Sequence, residues 1–202
     1  MIRTVLDACV LYPASLRDFL LRLAEAELIS PFWSEEIQNE WISSLLRNRP
    51  HIKRENLEQT CRNMDSRFPN GCVRGYESII PTLTQPDLDD RHVLAAAIRA
   101  RAKYIVTFNL KDFPKTILQS YGIEAMSPDD FIWQLIQQTP KAVHLTARIH
   151  RLSLSRPPKT VDQYLATLEK QKLPKTVAFL REHKGELSLT DNGEKIIQKE
   201  VP

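Results

Sequence analysis

Short apolar segments alternate with amphipathic helical segments along the first 138 residues of the chain. "IRTVLD" (2–7), "KYIVTF" (103–108) and "IEAM" (123–126) each have the composition of a strand. Helical patterns separate them, and one of these, "DRHVLAAAIRARA" (90–102), passes directly into a strand. Strands that alternate with helices are typical of a parallel sheet with crossover helices. We therefore predict an α/β fold, a parallel sheet flanked by helices, over residues 1–138.

Four further helices are predicted from apolar periodicity and capping residues. They are "SLRDFLLRLAEAELIS" (15–30), "SEEIQNEWISSLL" (34–46), "KRENLEQTCRNMDSRF" (53–68) and "SPDDFIWQLIQQ" (127–138). The last has Ser127 as its N-cap, Pro128 at its first position and Asp130 closing the capping box. After Pro140 no further strand is convincing. We predict a helical, basic C-terminal extension over residues 139–202.

Composition and charge exclude several classes of protein. Apolar residues make up 42% of the chain, which supports a sizeable core. No apolar run approaches the roughly 20 residues of a bilayer span, and the start lacks a signal-peptide pattern. Three cysteines without a CxxC pair suggest reduced thiols in the cytoplasm. In residues 137–202, 12 Lys and Arg stand against 7 Asp and Glu, so a surface that meets polyanions is one reading and a solvated helical surface is the other.

Two acidic residues lie on the apolar faces of predicted helices. Glu40 shares a helical face with Ile37 and Trp41, and Asp90 shares one with Val93 and Leu94. A carboxylate that points inward is costly unless it is paired or binds metal. Pairing of Glu40 with a basic residue and capping by Asp90 are the structural alternatives.

Other polar residues follow strands directly. Asp7 ends "TVLD", and Asn109 ends "YIVTFN", with Asp112 three residues later. The carboxyl ends of parallel strands form the binding crevice of an open sheet. These residues and the two helix-borne acids therefore point to one place. For Asn109 and for Asp112, two readings stay open: a direct ligand in the site, or a residue that forms the turn.

Several carboxylates in one cleft raise one another's pKa, and a divalent cation relieves the repulsion. Oxygen ligands suit Mg²⁺ or Mn²⁺, and no Cys/His set for zinc is present. Such a cation activates water and offsets charge on a phosphodiester. Asp87 and Asp89 are interpreted as capping and surface charge, and His92 as a residue of the helix surface.

These motifs resemble the PIN domain, the nuclease fold of VapC-type toxins. The resemblance is carried by "VLDACVLYP", "SEEIQNEW", "DDRHVLAAAI" and "IVTFNLKDFP", in family order over roughly residues 1–135. It implies that the acidic quartet falls on Asp7, Glu40, Asp90 and the Asn109/Asp112 segment, supported by Thr107. The family often has Asn or Thr two residues after the first Asp, where this chain has Cys9.

The resemblance also implies an activity and partners: metal-dependent endoribonuclease cleavage by a toxin that a cognate antitoxin inhibits, in a protein that forms a homodimer. Two other classes stay open, a structure-specific DNA nuclease of related fold and a non-catalytic module that binds RNA or a protein partner. In the extension, four basic residues are candidates for RNA-backbone contacts: Arg148, Arg151, Arg156 and Lys159. Its apolar faces either pack on the core or accept an antitoxin helix.

Overall fold

The computed structural model describes residues 1–83, 89–155 and 157–187, and within them it contains a five-stranded sheet. The strands are β1 (Ile2–Leu6), β2 (Ile29–Ser34), β3 (Cys72–Val73), β4 (Tyr104–Val106) and β5 (Glu124–Met126). All neighbouring strands are parallel, in the order β3-β2-β1-β4-β5. The predicted α/β fold is confirmed.

Helices connect the strands. Beyond β5, the regular structure of the described residues is helical, apart from one isolated β-bridge. The helices are α1 (Ala8–Leu11), α2 (Ala14–Glu25), α3 (Glu35–Asn48), α4 (Arg54–Arg67), α5 (Arg91–Arg99), α6 (Lys115–Leu118), α7 (Pro128–Gln138), α8 (Pro140–Ser153), α9 (Val161–Lys170), α10 (Pro174–Glu182) and α11 (Lys184–Leu187). Among the described residues, no helix is both long and apolar enough to cross a bilayer.

Capping residues set several of these helix starts. The Ser34 hydroxyl accepts a hydrogen bond from the Ile37 N–H, and Ser127 caps α7 in the same way, with Pro128 following it. Thr160 and Gln163 form a capping box at α9. Each device satisfies N–H groups that the first helical turn leaves without an intrahelical partner.

Strand β2 was not predicted, because the helical pattern that begins at Ser15 was extended to Ser30. The structure ends α2 at Glu25 and places Glu27 in a left-handed conformation with φ of 58°. The N–H of Leu28 then donates to the Leu23 carbonyl at 3.0 Å, which is the bond that closes a Schellman turn. Such turns usually use glycine, so the sequence carries no visible stop.

The sheet reverses its winding direction between β1 and β4. From β1 the chain moves outward to β2 and β3, and it then returns to add β4 and β5 on the other side of β1. The carboxyl ends of β1 and β4 therefore lie side by side at a topological switch point. Open α/β sheets bind ligands at such points.

The C-terminal helices pack on the rest of the molecule. Their apolar faces are buried in a hydrophobic cluster that is continuous with the sheet core: Val161, Tyr164, Leu165, Leu168, Val177 and Leu180. Helix α8 packs on α2, and α10 packs on α7. Core packing of the extension, one of the two predicted alternatives, is therefore confirmed.

Candidate active site

A cleft of about 1230 Å³ opens at the carboxyl edge of the sheet. Its wall includes residues that directly follow β1, β2 and β3, together with Asn109 beyond β4. Within the described residues its acidic lining is the following set: Asp7, Glu35, Glu36, Glu40, Glu77 and Asp90. The structure thus brings Asp7, Glu40, Asp90 and Asn109 to one cleft, as the sequence predicted.

Asp7 is the most buried acid of this cleft, with only 3% of its surface exposed. Its Oδ1 accepts the Ala8 N–H at 2.6 Å, and its Oδ2 accepts the Thr107 hydroxyl at 2.6 Å. Burial raises the pKa of Asp7 and the nearby charge of Glu40 raises it further, while the Thr107 hydrogen bond opposes the shift. An ionised carboxylate here is costly on its own, so the position favours a cation.

Cys9, two residues after Asp7, joins the loop after β1 to the segment after β4 through its thiol. Its Sγ donates to Asp7 Oδ2 at 3.1 Å and lies 3.3 Å from Thr107 Oγ1. It also accepts the Phe108 N–H at 3.2 Å. Burial and the adjacent Asp7 raise the pKa of the Cys9 thiol to about 12, so it stays protonated and donates.

Glu40 extends from α3 into the cleft and contacts His92 of α5. The Glu40 Oε1 lies 2.9 Å from the His92 Nε2. One helical turn earlier, Glu36 Oε2 accepts the Tyr76 hydroxyl at 3.3 Å and lies 3.6 Å from His92 Nδ1. Burial lowers the pKa of His92, but the hydrogen bond to Glu40 and the charges of both glutamates outweigh it and raise that pKa.

His92 corrects the sequence interpretation, which placed it on the helix surface. Only 4% of His92 is exposed, because α5 is buried all round its first turns, from His92 to Ala97. The continuous run "HVLAAA" was the available signal. A helix that is apolar on every side has no solvent face for a neighbouring polar residue.

Asp90 occupies the N-cap position of α5, yet its side chain makes no capping hydrogen bond to the helix. It lines the cleft instead. Asp90 therefore does not cap α5 with its own side chain, and the alternative in which it closes a capping box with Asp87 lies outside the described residues. The proposed capping role of Asp87 lies outside the described residues.

The polar residues that follow β4 lie in different environments. Thr107 is fully buried, and its hydroxyl both donates to Asp7 and accepts the Asn109 N–H at 2.9 Å. Asn109 lines the cleft, whereas Asp112 sits on the following turn, outside the cleft lining, with 16% of its side chain exposed. The geometry thus favours Asn109 over Asp112 as the neighbour of a bound ligand.

Carboxylate and amide oxygens are the donors that Mg²⁺ and Mn²⁺ prefer. Within residues 1–83, 89–155 and 157–187, no three His, Cys, Asp or Glu side chains are grouped closely enough to form a metal cage. Magnesium commonly binds through one or two carboxylates, waters and substrate phosphates instead of an all-protein cage. The open acidic cleft fits that mode of binding.

Two arginines that the sequence analysis did not single out, Arg47 and Arg74, also line the cleft. Three of the predicted RNA contacts lie elsewhere, on or after α8: Arg148, Arg151 and Lys159. Arg151 donates to the carbonyls of Leu187 and Lys159 at 3.0 and 3.1 Å, and thereby joins parts of the extension. Arg156 lies outside the described residues.

An open parallel α/β domain with an acidic cleft at its switch point is the class that fold and site define together. The family model described as "PIN domain" matches residues 3–111, more than half of the chain. A second, described as "VapC50 C-terminal domain", matches residues 128–182. The chain therefore belongs to the PIN domain family, which confirms the resemblance of its motifs.

A curated relative is named "Putative ribonuclease VapC50" and comes from Mycobacterium tuberculosis (strain ATCC 25618 / H37Rv). It is 45% identical over 84 residues, which cover 38% of this chain and 49% of the relative. The chain thus spans about half the length of the relative that it matches. No solved structure matches the chain.

Proposed function

We propose that the protein is a metal-dependent endoribonuclease whose active site is the acidic cleft. The observation that carries this proposal is the convergence of Asp7, Glu40, Asp90 and Asn109 from separate parts of the chain in one cleft. The name of the curated relative, a ribonuclease, supports the same activity. Single-stranded RNA is the preferred substrate, because its backbone is accessible and its bases can be splayed.

Asp7, Glu40 and Asp90 would hold Mg²⁺ or Mn²⁺, one or two of them directly and the rest through bound water, with Asn109 as a neutral oxygen donor. A bound cation would supply charge neutralisation at the scissile phosphate and activation of water. The chain's own part is to hold the donors. Thr107 and Cys9 fix the Asp7 carboxylate through hydrogen bonds at 2.6 and 3.1 Å. A contribution of Asp112 to the cation site, from a greater distance, stays a prediction.

Arg47 and Arg74 are the cationic side chains proposed to contact the RNA backbone, because both line the acidic cleft. Contacts to phosphate fix the position of a nucleic acid without reading its sequence. A strand that bridged these arginines and the carboxylates would place a phosphodiester beside the bound cation. The basic residues of the extension remain candidates for contacts farther along the RNA strand.

We further propose that this nuclease is the toxin of a type II toxin–antitoxin pair and acts on RNA in the cytoplasm. The match of residues 128–182 to the VapC50 C-terminal domain model supports this reading. A cognate antitoxin and a homodimer are the partners that the family resemblance implies. The apolar faces of α9 and α10 are buried in the core, which supports an antitoxin surface elsewhere on the molecule.

The test is cleavage of a single-stranded RNA with Mg²⁺, Mn²⁺ or EDTA, beside a flap DNA of the same length. Wild type should cleave RNA only with the cation, and Asp7→Asn and Asp90→Asn should each lose cleavage by about 100-fold or more, because they remove anionic donors from the cation site. The matched control is Asp162→Asn, whose side chain is 75% exposed on α9, away from the cleft. Wild-type rates in both site variants would refute the proposal, and faster flap cleavage would favour a DNA nuclease.

A further inference from the structure

Helix α5 brings two functional groups to the cleft from its first turn. Asp90 is the N-cap residue and lines the cleft directly, whereas His92, two residues later, is buried and outside the cleft lining. The imidazole of His92 contacts acids of α3, not of its own helix. The first turn of α5 thus contributes Asp90 to the cleft lining and contacts a second acid of the cleft, Glu40, through His92.

The contact between His92 and Glu40 joins a buried side chain to a more exposed one. The His92 side chain is 4% exposed and is enclosed by packing, while the Glu40 side chain is 41% exposed and faces the open cleft. Their 2.9 Å hydrogen bond therefore restrains the carboxylate. The bond requires only a proton on Nε2, which the neutral Nε2–H tautomer and the imidazolium both supply.

The other side of the imidazole is enclosed by a second acid. Glu36 Oε2 lies 3.6 Å from His92 Nδ1 and accepts the Tyr76 hydroxyl, which itself belongs to a buried residue. This arrangement keeps the ring between two glutamates one helical turn apart on α3. The ring orientation, and with it the direction of Nε2–H toward Glu40, is therefore defined by packing.

We propose that His92 is a positioning residue that holds the Glu40 carboxylate in the cleft for a divalent cation. The inference rests on the proposed metal-dependent function and adds a residue that does not itself touch the ion. Carboxylates that bind metals are commonly oriented by hydrogen bonds of this kind, and loss of such a partner typically costs about 10- to 100-fold in metal affinity or activity.

The experiment measures Mn²⁺ binding to the full chain by electron paramagnetic resonance of the free ion, without RNA. His92→Leu removes the donor and should weaken Mn²⁺ binding about tenfold. His92→Gln places an amide N–H where Nε2 stands and should keep the affinity within about threefold of wild type. His92→Asn places its amide only as far as Nδ1 and should resemble His92→Leu, which keeps the test valid if the leucine variant fails to fold.

The matched control is His144→Leu in α8. His144 is also a buried helical histidine, 6% exposed, with a glutamate 3.6 Å away, but it lies outside the cleft lining. Its loss should lower the thermal midpoint in EDTA without changing the Mn²⁺ affinity. A merely structural role for His92 would give the same pattern.

Wild-type affinity in both His92→Asn and His92→Leu would overturn the inference. If Asp7→Asn nevertheless weakens Mn²⁺ binding in the same series, the metal site stands and only the role of His92 fails. If wild type binds no Mn²⁺, the proposed metal dependence fails and the inference fails with it. Loss in the leucine and asparagine variants with rescue by glutamine would support it.

Discussion

The buried carboxylate of Asp129 provides a quantitative test of how the C-terminal helices are joined to the sheet. Asp129 lies on α7 and is 5% exposed. Its Oδ2 accepts the Lys175 N–H at 2.8 Å, and its Oδ1 accepts the Thr176 N–H and hydroxyl at 2.9 and 2.8 Å. These donors belong to the first turn of α10, whose own N-cap residue, Leu173, supplies no side-chain bond.

Asp129→Ala should lower the free energy of unfolding by about 3 kcal/mol. It leaves two backbone N–H groups near the start of α10 without their acceptor, and each unsatisfied buried donor costs roughly 1–3 kcal/mol. The Thr176 hydroxyl can rotate toward another acceptor and adds less. Asp129→Asn keeps one oxygen for Thr176 but turns an amide toward the Lys175 N–H, so a loss of about 1–2 kcal/mol is expected.

The assay is urea unfolding followed by circular dichroism, with Asp130→Ala as the matched control. Asp130 is the next residue, but its side chain is 43% exposed and its partner on α10 is the Lys175 ammonium, so its loss should cost below about 1 kcal/mol. The slope of the transition should stay constant, since the change affects stability and not the surface exposed on unfolding. Equal midpoints for the two alanine variants would refute the capping argument.

Three further predictions concern single charged or polar side chains. Burial raises the pKa of Asp18, but the hydrogen bonds and charges of His150 and Arg22 outweigh it and lower that pKa; the stabilisation by Asp18 is therefore present above the ordinary value of 3.8 and is lost as the pH falls through the lowered pKa. Asp18→Asn should cost below about 1 kcal/mol in urea unfolding at pH 6, since the carboxylate is 45% exposed, and the difference should shrink as the pH falls below 3.8. Arg47→Gln should raise the KM for RNA and reduce the slope of log affinity against log salt by about 1, with little change in kcat; an unchanged salt slope would exclude a phosphate contact. In the RNA cleavage assay, Asn109→Ala should reduce kcat more than Asp112→Asn does, because only Asn109 lines the cleft, and the reverse order would assign the direct role to Asp112.

The strand-end part of the site could be predicted because it depends on local sequence. An apolar run that ends in a polar residue locates the strand and its carboxyl end to within a few residues: β1 ends directly before Asp7, β4 ends at Val106, three residues before Asn109, and both polar residues line the cleft. The order of the strands was not needed. Any parallel sheet brings these ends to one edge, and the switch between β1 and β4 makes them neighbours.

The contact of His92 with Glu40 could not be predicted in the same way. It joins residues 52 positions apart on two helices, and no periodicity encodes which helix faces approach each other. Strand β2 was missed for a different reason. The helix before it ends in a left-handed turn at Glu27, where no glycine or proline indicates a stop.

The predicted boundary between residues 138 and 139 separates two sequence patterns, and it stays a prediction as a boundary between folding units. Contacts that cross it are buried and specific. His150 of α8 is fully buried, lies 3.1 Å from Asp18 of α2 and contacts the Tyr164 hydroxyl at 3.0 Å. The preceding residue of α2, Arg17, stacks over the ring of Trp41, which lines the acidic cleft beside Glu40. Because neighbouring residues of one helix support the cleft wall and the C-terminal helices, we infer that removal of those helices disturbs the site as well as the core.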